Sequence, residues 1–466
     1  MPAMRVSDVV KATGGRLLAG KGGTLVEGFS TDSRSISAGE MFVPLKGENF
    51  DGMFFVASAL DAGAAGALVT RWNEKLRKSL RPAIEAGAAM VKVDDGLRAF
   101  QRLAAHARSG LKAEVIGITG STGKTTTKDF LSAMLRPSMN VVASQRSFNN
   151  EIGVPATILS ADSDTDVLVL EMAMRGEGQI RQLCEIARPQ AGLVTNVGKT
   201  HYEFLGSEAR IAEAKGELVE AIGPGGFVVL NADDYWTHKL RAMAKAEVIT
   251  YGTKSAADVQ ADEIEIGSDG CASFVLRTGG RRKKIRLRAP GRHNVYNAAA
   301  AAAVALNLGA SLKDVAAGAR TVALSGMRME LFTTADDVVV LNDAYNANPA
   351  SVQAALETLH SIQSPGKKIA VLGDMMELGT MSDVAHFQVG EIAARLGLDA
   401  LVTVGALSRR IAEGAIVAGM DPERVSRCET GDEAGSAVRK LLAPSDVVLV
   451  KASRAMKLET VVERLT

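Results

Sequence analysis

The sequence predicts an α/β chain of three domains: a small mixed α/β domain first, a central P-loop-type domain with a mostly parallel sheet and helices on both faces, and a Rossmann-like C-terminal domain. Three observations lead there. A chain of 466 residues exceeds one ordinary core and points to two to four domains. Its residues are 47% hydrophobic but only 4% aromatic, and Ala, Val, Leu and Gly dominate, as in helices packed on buried parallel strands. Short apolar runs that end in polar or glycine residues alternate with helical stretches along most of its length.

The boundaries fall near 94 and 320, giving domains 1–94, 95–320 and 321–466. The first holds short strands and glycine turns, a helix-like stretch over 53–64 and a strand over 67–70. An amphipathic helix over 96–109 leads into the second. There the apolar strands 167–170, 191–195 and 226–230 end in Glu171, Asn196 and the run Asn231, Ala232, Asp233, Asp234. Residues 246–288 alternate in β fashion and read as a small antiparallel annex. The alanine-rich stretch 297–306 reads as a helix whose small residues let it pack closely on a sheet. In the third domain, strands over 338–341, 368–372, 400–404 and 446–450 alternate with helices. A mostly parallel sheet follows, and ligands of such sheets bind beyond the carboxyl ends of the strands.

The segment 115–127 is the most informative. An apolar strand runs into Gly120, Ser121, Thr122 and Gly123, and Lys124, Thr125 and Thr126 open a helix. Small residues let backbone N–H groups approach an oligophosphate, and a helix N-terminus favours its charge. Lys124 adds a point charge, and Thr125 offers a hydroxyl to Mg2+. The pattern is the short G-x-x-G-K-T, since Ile118 stands where the longer phosphate-loop pattern has its first glycine. The bland alternative is an ordinary strand–turn–helix with a solvated lysine. Strand, turn and helix signals all agree with nucleoside triphosphate binding.

Composition excludes several classes. Lys and Arg number 54 against 53 Asp and Glu, so nothing suggests a nucleic-acid or anionic-membrane binder. The densest basic run, Arg281, Arg282, Lys283 and Lys284 with Arg286 and Arg288, reads as an exposed hairpin. Three widely spaced cysteines, Cys184, Cys271 and Cys428, suggest buried thiols in a reducing compartment. The first residues lack a signal-type apolar stretch, and no run approaches bilayer length, so a soluble cytoplasmic protein is expected. Nothing demands more than a monomer.

Other residues carry two readings each. Glu171 at a strand end is a Mg2+ ligand or a solvated carboxylate. His201 is a metal or substrate ligand or a structural histidine. Lys215 is, by composition, a solvated helix lysine. Asn294 can meet an adenine edge or cap the helix that follows. The loop Asp343, Ala344, Tyr345, Asn346, Ala347, Asn348, Pro349 carries more polar groups than capping requires and reads as a ligand loop before a helix capped by Ser351. The clusters Ser30, Thr31, Asp32, Ser33, Arg34 and Lys46 to Gly52 read alone as polar turns flanking a strand.

Taken in order, GSTGKTTT, SFNNEIGVP, EMAMRGEGQI, the His201 segment with AKGE, GRHNVYN, SGMRME and DAYNANP resemble the Mur ligase family of ATP-dependent amide-bond synthetases in peptidoglycan precursor assembly. The resemblance spans nearly the whole chain. DAYNANP, VLGDMMELG and PLKGENFDG resemble the branch that joins D-alanyl-D-alanine to UDP-N-acetylmuramoyl-tripeptide. A ligase adding a single amino acid to the UDP-muramoyl dipeptide is the alternative.

The resemblance implies roles. Lys124 and the 120–123 backbone hold ATP phosphates. Thr125 and Glu171 bind one Mg2+, and His201 helps bind a second. Lys215 matches the lysine that is carbamylated, which turns a cation beside two dications into an anionic ligand. Asn294 faces adenine, while Arg328, Asp343, Tyr345 and Asn346 approach ribose and phosphates. Asn149 and Asn150 meet the peptide side of the nucleotide substrate. Ser30, Thr31, Asp32, Ser33, Arg34, Lys46, Asn49 and Phe50 bind its UDP end, and Ser453 and Arg454 the dipeptide. Two departures stand out: Ala452 where the family has Gly, which puts backbone approach to the dipeptide in question, and the bulkier Lys199-Thr200 before His201.

Overall fold

A computed structural model describes residues 3–47, 50–145 and 147–466. The chain divides into two compact units, Met1–Gly117 with Met139–Ala173 and Ile180–Gln190, and Ile118–Ser138 with Met174–Gln179 and Ala191–Thr466. The α/β class holds in both: the sheets are mostly parallel.

In the first unit a five-stranded sheet has the order Arg16–Ala19, Ala89–Lys92, Gly66–Val69, Glu40–Phe42, Gly28–Ser30. Only the Arg16–Ala19 pairing is antiparallel. Phe42, Met53, Val56, Ala67, Val69 and Met90 form its core, and each of these side chains larger than alanine contributes about 1.5–3 kcal/mol when fully buried. The stretch expected as one helix over 53–64 is a 3-10 turn, Gly52–Phe55, followed by the helix Val56–Asp61. Asp51 sets the break by accepting a hydrogen bond from the Met53 amide at 2.9 Å. The helix Gly96–Gly110 starts at Asp95, whose carboxylate accepts from the Arg98 amide at 2.8 Å. The strands Val141–Ala143 and Val167–Glu171 lie parallel. The strand Glu114–Thr119 holds the boundary between the two units.

In the second unit Ala191–Val194, Phe227–Asn231, Glu247–Gly252 and Val259–Ile266 pair in parallel, each with the next. Cys271–Thr278 and Arg281–Pro290 add an antiparallel hairpin. The annex expected over 246–288 is therefore no separate sheet. Two of its strands extend the parallel one, and only the hairpin and its pairing to Val259–Ile266 run antiparallel. Val228–Val248 and Leu230–Thr250 pairing joins the sheet there, a long-range contact that local alternation does not encode. The basic run 281–284 lies exposed on the hairpin, as expected.

The helix His293–Asn307 buries Ala298 through Ala303 at 0–2% exposure, packed against the helix Lys124–Leu135 and the strands Phe227–Asn231, Glu247–Gly252 and Val259–Ile266. Larger side chains would hold those layers apart.

A six-stranded sheet has the order Glu330–Thr333, Val339–Asn342, Val447–Lys451, Lys368–Gly373, Ala400–Val404, Val425–Cys428, parallel except at its first pair. Alternate residues feed two cores: Leu341, Ala370 and Leu372 on one face, Val340, Ile369 and Val371 on the other. The last strand inserts between two earlier ones, so the carboxyl ends near 343, 374 and 452 become neighbours. The helix Pro349–Ser361 is capped by Asn348 rather than Ser351. The Asn348 carboxamide accepts from the Ser351 amide at 3.0 Å, because Pro349 occupies the first helical position and shifts the cap upstream.

The three cysteines are buried thiols. Among the described residues no helix is long and apolar enough to cross a membrane.

Candidate active site

The strand Glu114–Thr119 ends in a turn built on two glycines of positive φ, Gly120 at 149° and Gly123 at 81°. A Cβ at Gly120 would lie 1.8 Å from Thr195 Oγ1, and one at Gly123 2.3 Å from Asn297 Oδ1. Conformation and close approach both require glycine. Gly123 occupies the N-cap of the helix Lys124–Leu135 and brings no side-chain cap to it. A helix end so arranged suits an anion. Lys124 Nζ donates to Gly120 O at 2.7 Å, which carries its ammonium back over the turn. Thr125 is buried and Thr126 half-buried.

Residues 195–198 brace this turn. The Ser121 amide donates to Asn196 O at 2.9 Å, and the Thr122 amide to Asn196 Oδ1 at 3.0 Å. Thr195 Oγ1 donates to Thr122 O at 2.6 Å. With two amides engaged inside the protein, Ser121 and Thr122 shape the turn, and the amides suited to a phosphate begin at Gly123.

Lys215 lies on the helix Glu208–Ala221 at 2% exposure. Burial, reinforced by the charge of Lys124, pushes its amine well below the usual lysine range. A neutral amine is the form that attacks CO2, so the site fits a carbamate. His201 takes a left-handed conformation, φ 56°, at the start of the helix Tyr202–Leu205. Its Nδ1 lies 2.6 Å from Glu377 Oε2, and Arg175 Nε lies 3.5 Å from Glu377 Oε1. That hydrogen bond from His201 holds the Glu377 carboxyl below the usual range. An ionised carboxylate only accepts, so Nδ1 carries the proton and Nε2 is the nitrogen that would ligate a metal. Among the described residues no group of three or more His, Cys, Asp and Glu is arranged to hold a metal. The expected Mg2+ donors are of mixed type, two of them Thr125 and Lys215.

Asn294 is fully buried in the first turn of its helix, whose N-cap is Arg292, so it caps nothing. Its Nδ2 donates to Pro290 O at 2.7 Å, and its Oδ1 accepts from Asn297 Nδ2 at 2.9 Å. Asn297 in turn lies under Gly123. Arg328 stacks on the Tyr345 ring at 4.1 Å, so two residues expected near ribose and phosphate meet. Asp343 is ion-paired with buried Lys451, which also donates to Asn346 O at 2.8 Å. Ser453 is buried; its Oγ accepts from the Met376 amide at 2.9 Å. Arg454 is exposed and pairs with Glu459 at 2.8 Å. The methyl of Ala452 points into the core, where a Cβ on Gly373 would lie 2.7 Å from it.

In the first unit, Glu171 is buried and its Oε1 accepts from Asn149 Nδ2 at 2.8 Å. Asn150 Oδ1 accepts from the Gly153 amide at 3.0 Å, at the start of the helix Gly153–Ser160. Residues 30–34, and residues 46, 47 and 50–52 of the second cluster, follow the carboxyl ends of adjacent parallel strands, Gly28–Ser30 and Glu40–Phe42. Asp32 binds Arg34 through side chain and backbone, and its carboxyl is lowered to about 2, chiefly by the Arg34 side-chain hydrogen bond. Ser30 Oγ accepts from the Asp32 amide at 3.2 Å; Thr31 and Ser33 are half-buried in the same turn. The Lys46 backbone pairs with that of Asp51 as an isolated antiparallel bridge, and Phe50 is 60% exposed. Asn49 lies outside the described residues. Sequence reading missed Arg71, which pairs with Asp51 at 2.7 Å and lies over Phe54 at the end of the next strand. It also gave no role to Asn297, Glu377 or Asp234. Each meets its partner far along the chain, and Glu377 stood unremarked within VLGDMMELG.

Fold and site together define a phosphate-loop α/β protein built to hold a nucleotide. Three family models match in chain order: the Mur ligase family catalytic domain over residues 25–108, the Mur ligase middle domain over 118–305, and the Mur ligase glutamate ligase domain over 327–454. The UDP-N-acetylmuramoyl-tripeptide–D-alanyl-D-alanine ligase of Bacillus subtilis is 37% identical, with 95% of this chain and 93% of that protein covered. The ligase of the same name from Escherichia coli is 33% identical, with 94% of each covered. A crystal structure of MurF from Acinetobacter baumannii matches with a TM-score of 0.88 at 31% identity, covering 100% of this chain and 99% of that one. The structure of MurF ligase from Thermotoga maritima in complex with ADP matches with a TM-score of 0.77 at 26% identity, covering 94% and 96%. The chain belongs to the Mur ligase family.

Proposed function

We propose that the protein is the ATP-dependent ligase that joins the terminal carboxylate of UDP-N-acetylmuramoyl-tripeptide to the amine of D-alanyl-D-alanine in peptidoglycan precursor synthesis. The reading puts this work in the cytoplasm, by a monomer, with domains 1–94 for the UDP substrate, 95–320 for ATP and 321–466 for ATP and the dipeptide. The carrying observation is the phosphate turn: two obligatory glycines, a helix end without a side-chain cap, and Lys124 folded over it. Relatives bearing that ligase name align over nearly their whole length.

The tripeptide carboxylate attacks the γ-phosphorus of ATP, and ADP leaves. The amine of the dipeptide then attacks the acyl carbon of the acyl phosphate, and inorganic phosphate leaves with the C–O electrons. The turn and Lys124 orient the triphosphate and offset its charge. Thr125, Glu171, His201 and carbamylated Lys215 are the proposed Mg2+ ligands; bound Mg2+ neutralises phosphate charge. His201 is aimed by Glu377, and Glu171 by Asn149. Asn294 serves the adenine side, and Arg328, Asp343, Tyr345 and Asn346 form the ribose and phosphate side. Asn149 and Asn150 serve the peptide side of the nucleotide substrate, the 30–34 and 46–50 segments its UDP end, and Ser453 and Arg454 the dipeptide.

The test is phosphate release against UDP-muramoyl dipeptides and against tripeptides ending in meso-diaminopimelate or L-lysine, each with and without D-alanyl-D-alanine. The reading requires release that depends on a tripeptide and on the dipeptide together. Release indifferent to the dipeptide contradicts it.

A further inference from the structure

The run Asn231, Ala232, Asp233, Asp234 ends a parallel strand, and the reaction as described makes no use of it. Asp234 is half-buried and binds two backbone amides, Val197 N through Oδ2 and Trp236 N through Oδ1, each at 2.8 Å. The first of these ties it to the 195–198 segment. Asn196 meets Thr122 with both ends of its carboxamide. Oδ1 accepts from the Thr122 amide at 3.0 Å and from its hydroxyl at 3.2 Å, and Nδ2 reaches Thr122 O at 3.2 Å. Gly198 N donates to Ser121 Oγ at 2.8 Å, and that hydroxyl reaches Gly198 O at 3.0 Å. Behind them Tyr251 OH donates to Thr195 O at 2.6 Å.

The turn from 120 to 123 has positive φ at both ends, and its short side chains hold their place only through bonds to the 196–198 segment. Its shape is imposed from the neighbouring strand end. We infer that Asp234 and Asn196 are positioning residues that act in series: Asp234 fixes the 196–198 segment, and Asn196 fixes Thr122, so that the amides from Gly123 onward stand ready for the triphosphate. Neither side chain need touch the nucleotide. Pre-arranged donors bind an anion without first ordering a loop, and that ordering is what removal of the brace would cost. The inference rests on the reading that this turn holds ATP.

The experiment measures binding of a fluorescent ATP analogue to the full chain, and separately binding of the UDP-muramoyl tripeptide. The variants are Asn196→Ala, Asp234→Asn and the double variant. Unaltered protein that fails to bind the analogue would overturn the nucleotide reading itself. Given binding, each single variant should weaken it about tenfold, as expected for one or two lost hydrogen bonds. The double variant should lose no more than the worse single one, because the residues act in one line. Tripeptide-nucleotide affinity should hold, and KM for ATP should rise more than kcat falls. Nucleotide affinity within twofold in both single variants, or losses that multiply, would overturn the inference. If Asn196→Ala does not fold, Asn196→Ser, which keeps one hydroxyl for Thr122, is held to the same criteria.

Discussion

Nδ1 of His201 and Oε2 of Glu377 stand 2.6 Å apart although 176 positions separate them in sequence. The pair fixes the imidazole tautomer and the direction of Nε2. Carboxylates in this position typically carry 10–100-fold in metal affinity. Glu377→Ala should therefore raise the Mg2+ concentration for half-maximal activity by about tenfold or more, while Glu377→Gln, whose oxygen still accepts from Nδ1, should lose less. A Mn2+ titration followed by electron paramagnetic resonance checks the same shift without turnover. Equal Mn2+ affinity in all three proteins would contradict the role.

Lys215 predicts a dependence on dissolved CO2. Its displaced amine equilibrium supplies the neutral nucleophile. Lys215→Ala should lose activity, excess bicarbonate should not restore it, and short-chain carboxylates should in part. Full activity of that variant would remove the carbamate.

The same lysine predicts a pH trend in stability. In CO2-free buffer the folded state binds fewer protons than the unfolded one between the lowered pKa of Lys215 and the ordinary value of 10.5. Stability contributed by this group must then rise with pH across that window. Thermal melts of wild type and Lys215→Met, compared from neutral pH upward, should show wild type gaining on the variant. A constant difference would count against burial of the amine.

Asp343 and Lys451 form a buried ion pair, at 13% and 2% side-chain exposure. Removing one partner of such a pair costs about 3–5 kcal/mol, since the other charge is left unpaired. Lys451→Met should approach that loss in urea unfolding, and adding Asp343→Asn should recover part of it.

Much of this was legible in advance, for a physical reason. Apolar runs, glycine turns and the Lys124 helix start are local, and local patterns report strands, turns and helix ends directly. What stayed hidden depends on pairing at a distance. The strand Glu247–Gly252 looked antiparallel until its partner Phe227–Asn231 was known. Nothing near Asn297 shows that Gly123 rests on it, nor does anything near Asp234 show its bond to Val197. Ser351 reads as the cap from its residue type alone, whereas Pro349 at the first helical position moves the cap to Asn348. Composition made Lys215 a surface lysine, and only the resemblance marked it before its burial was seen.

Ala452 supplies the last substitution test. Its methyl packs inward, against the position a Cβ on Gly373 would take. Gly373→Ala should cost about 1–3 kcal/mol by overpacking, and Ala452→Gly should restore most of it. Calorimetry on the two single variants and the double variant decides, and two independent losses would rule out the contact.

Tripeptide substrate labelled with 18O in its terminal carboxylate tests the acyl-phosphate step most directly. Activation by phosphoryl transfer requires one labelled oxygen to leave in the inorganic phosphate for each amide bond formed. Phosphate that carries no label, with the displaced heavy oxygen appearing in water instead, would contradict it.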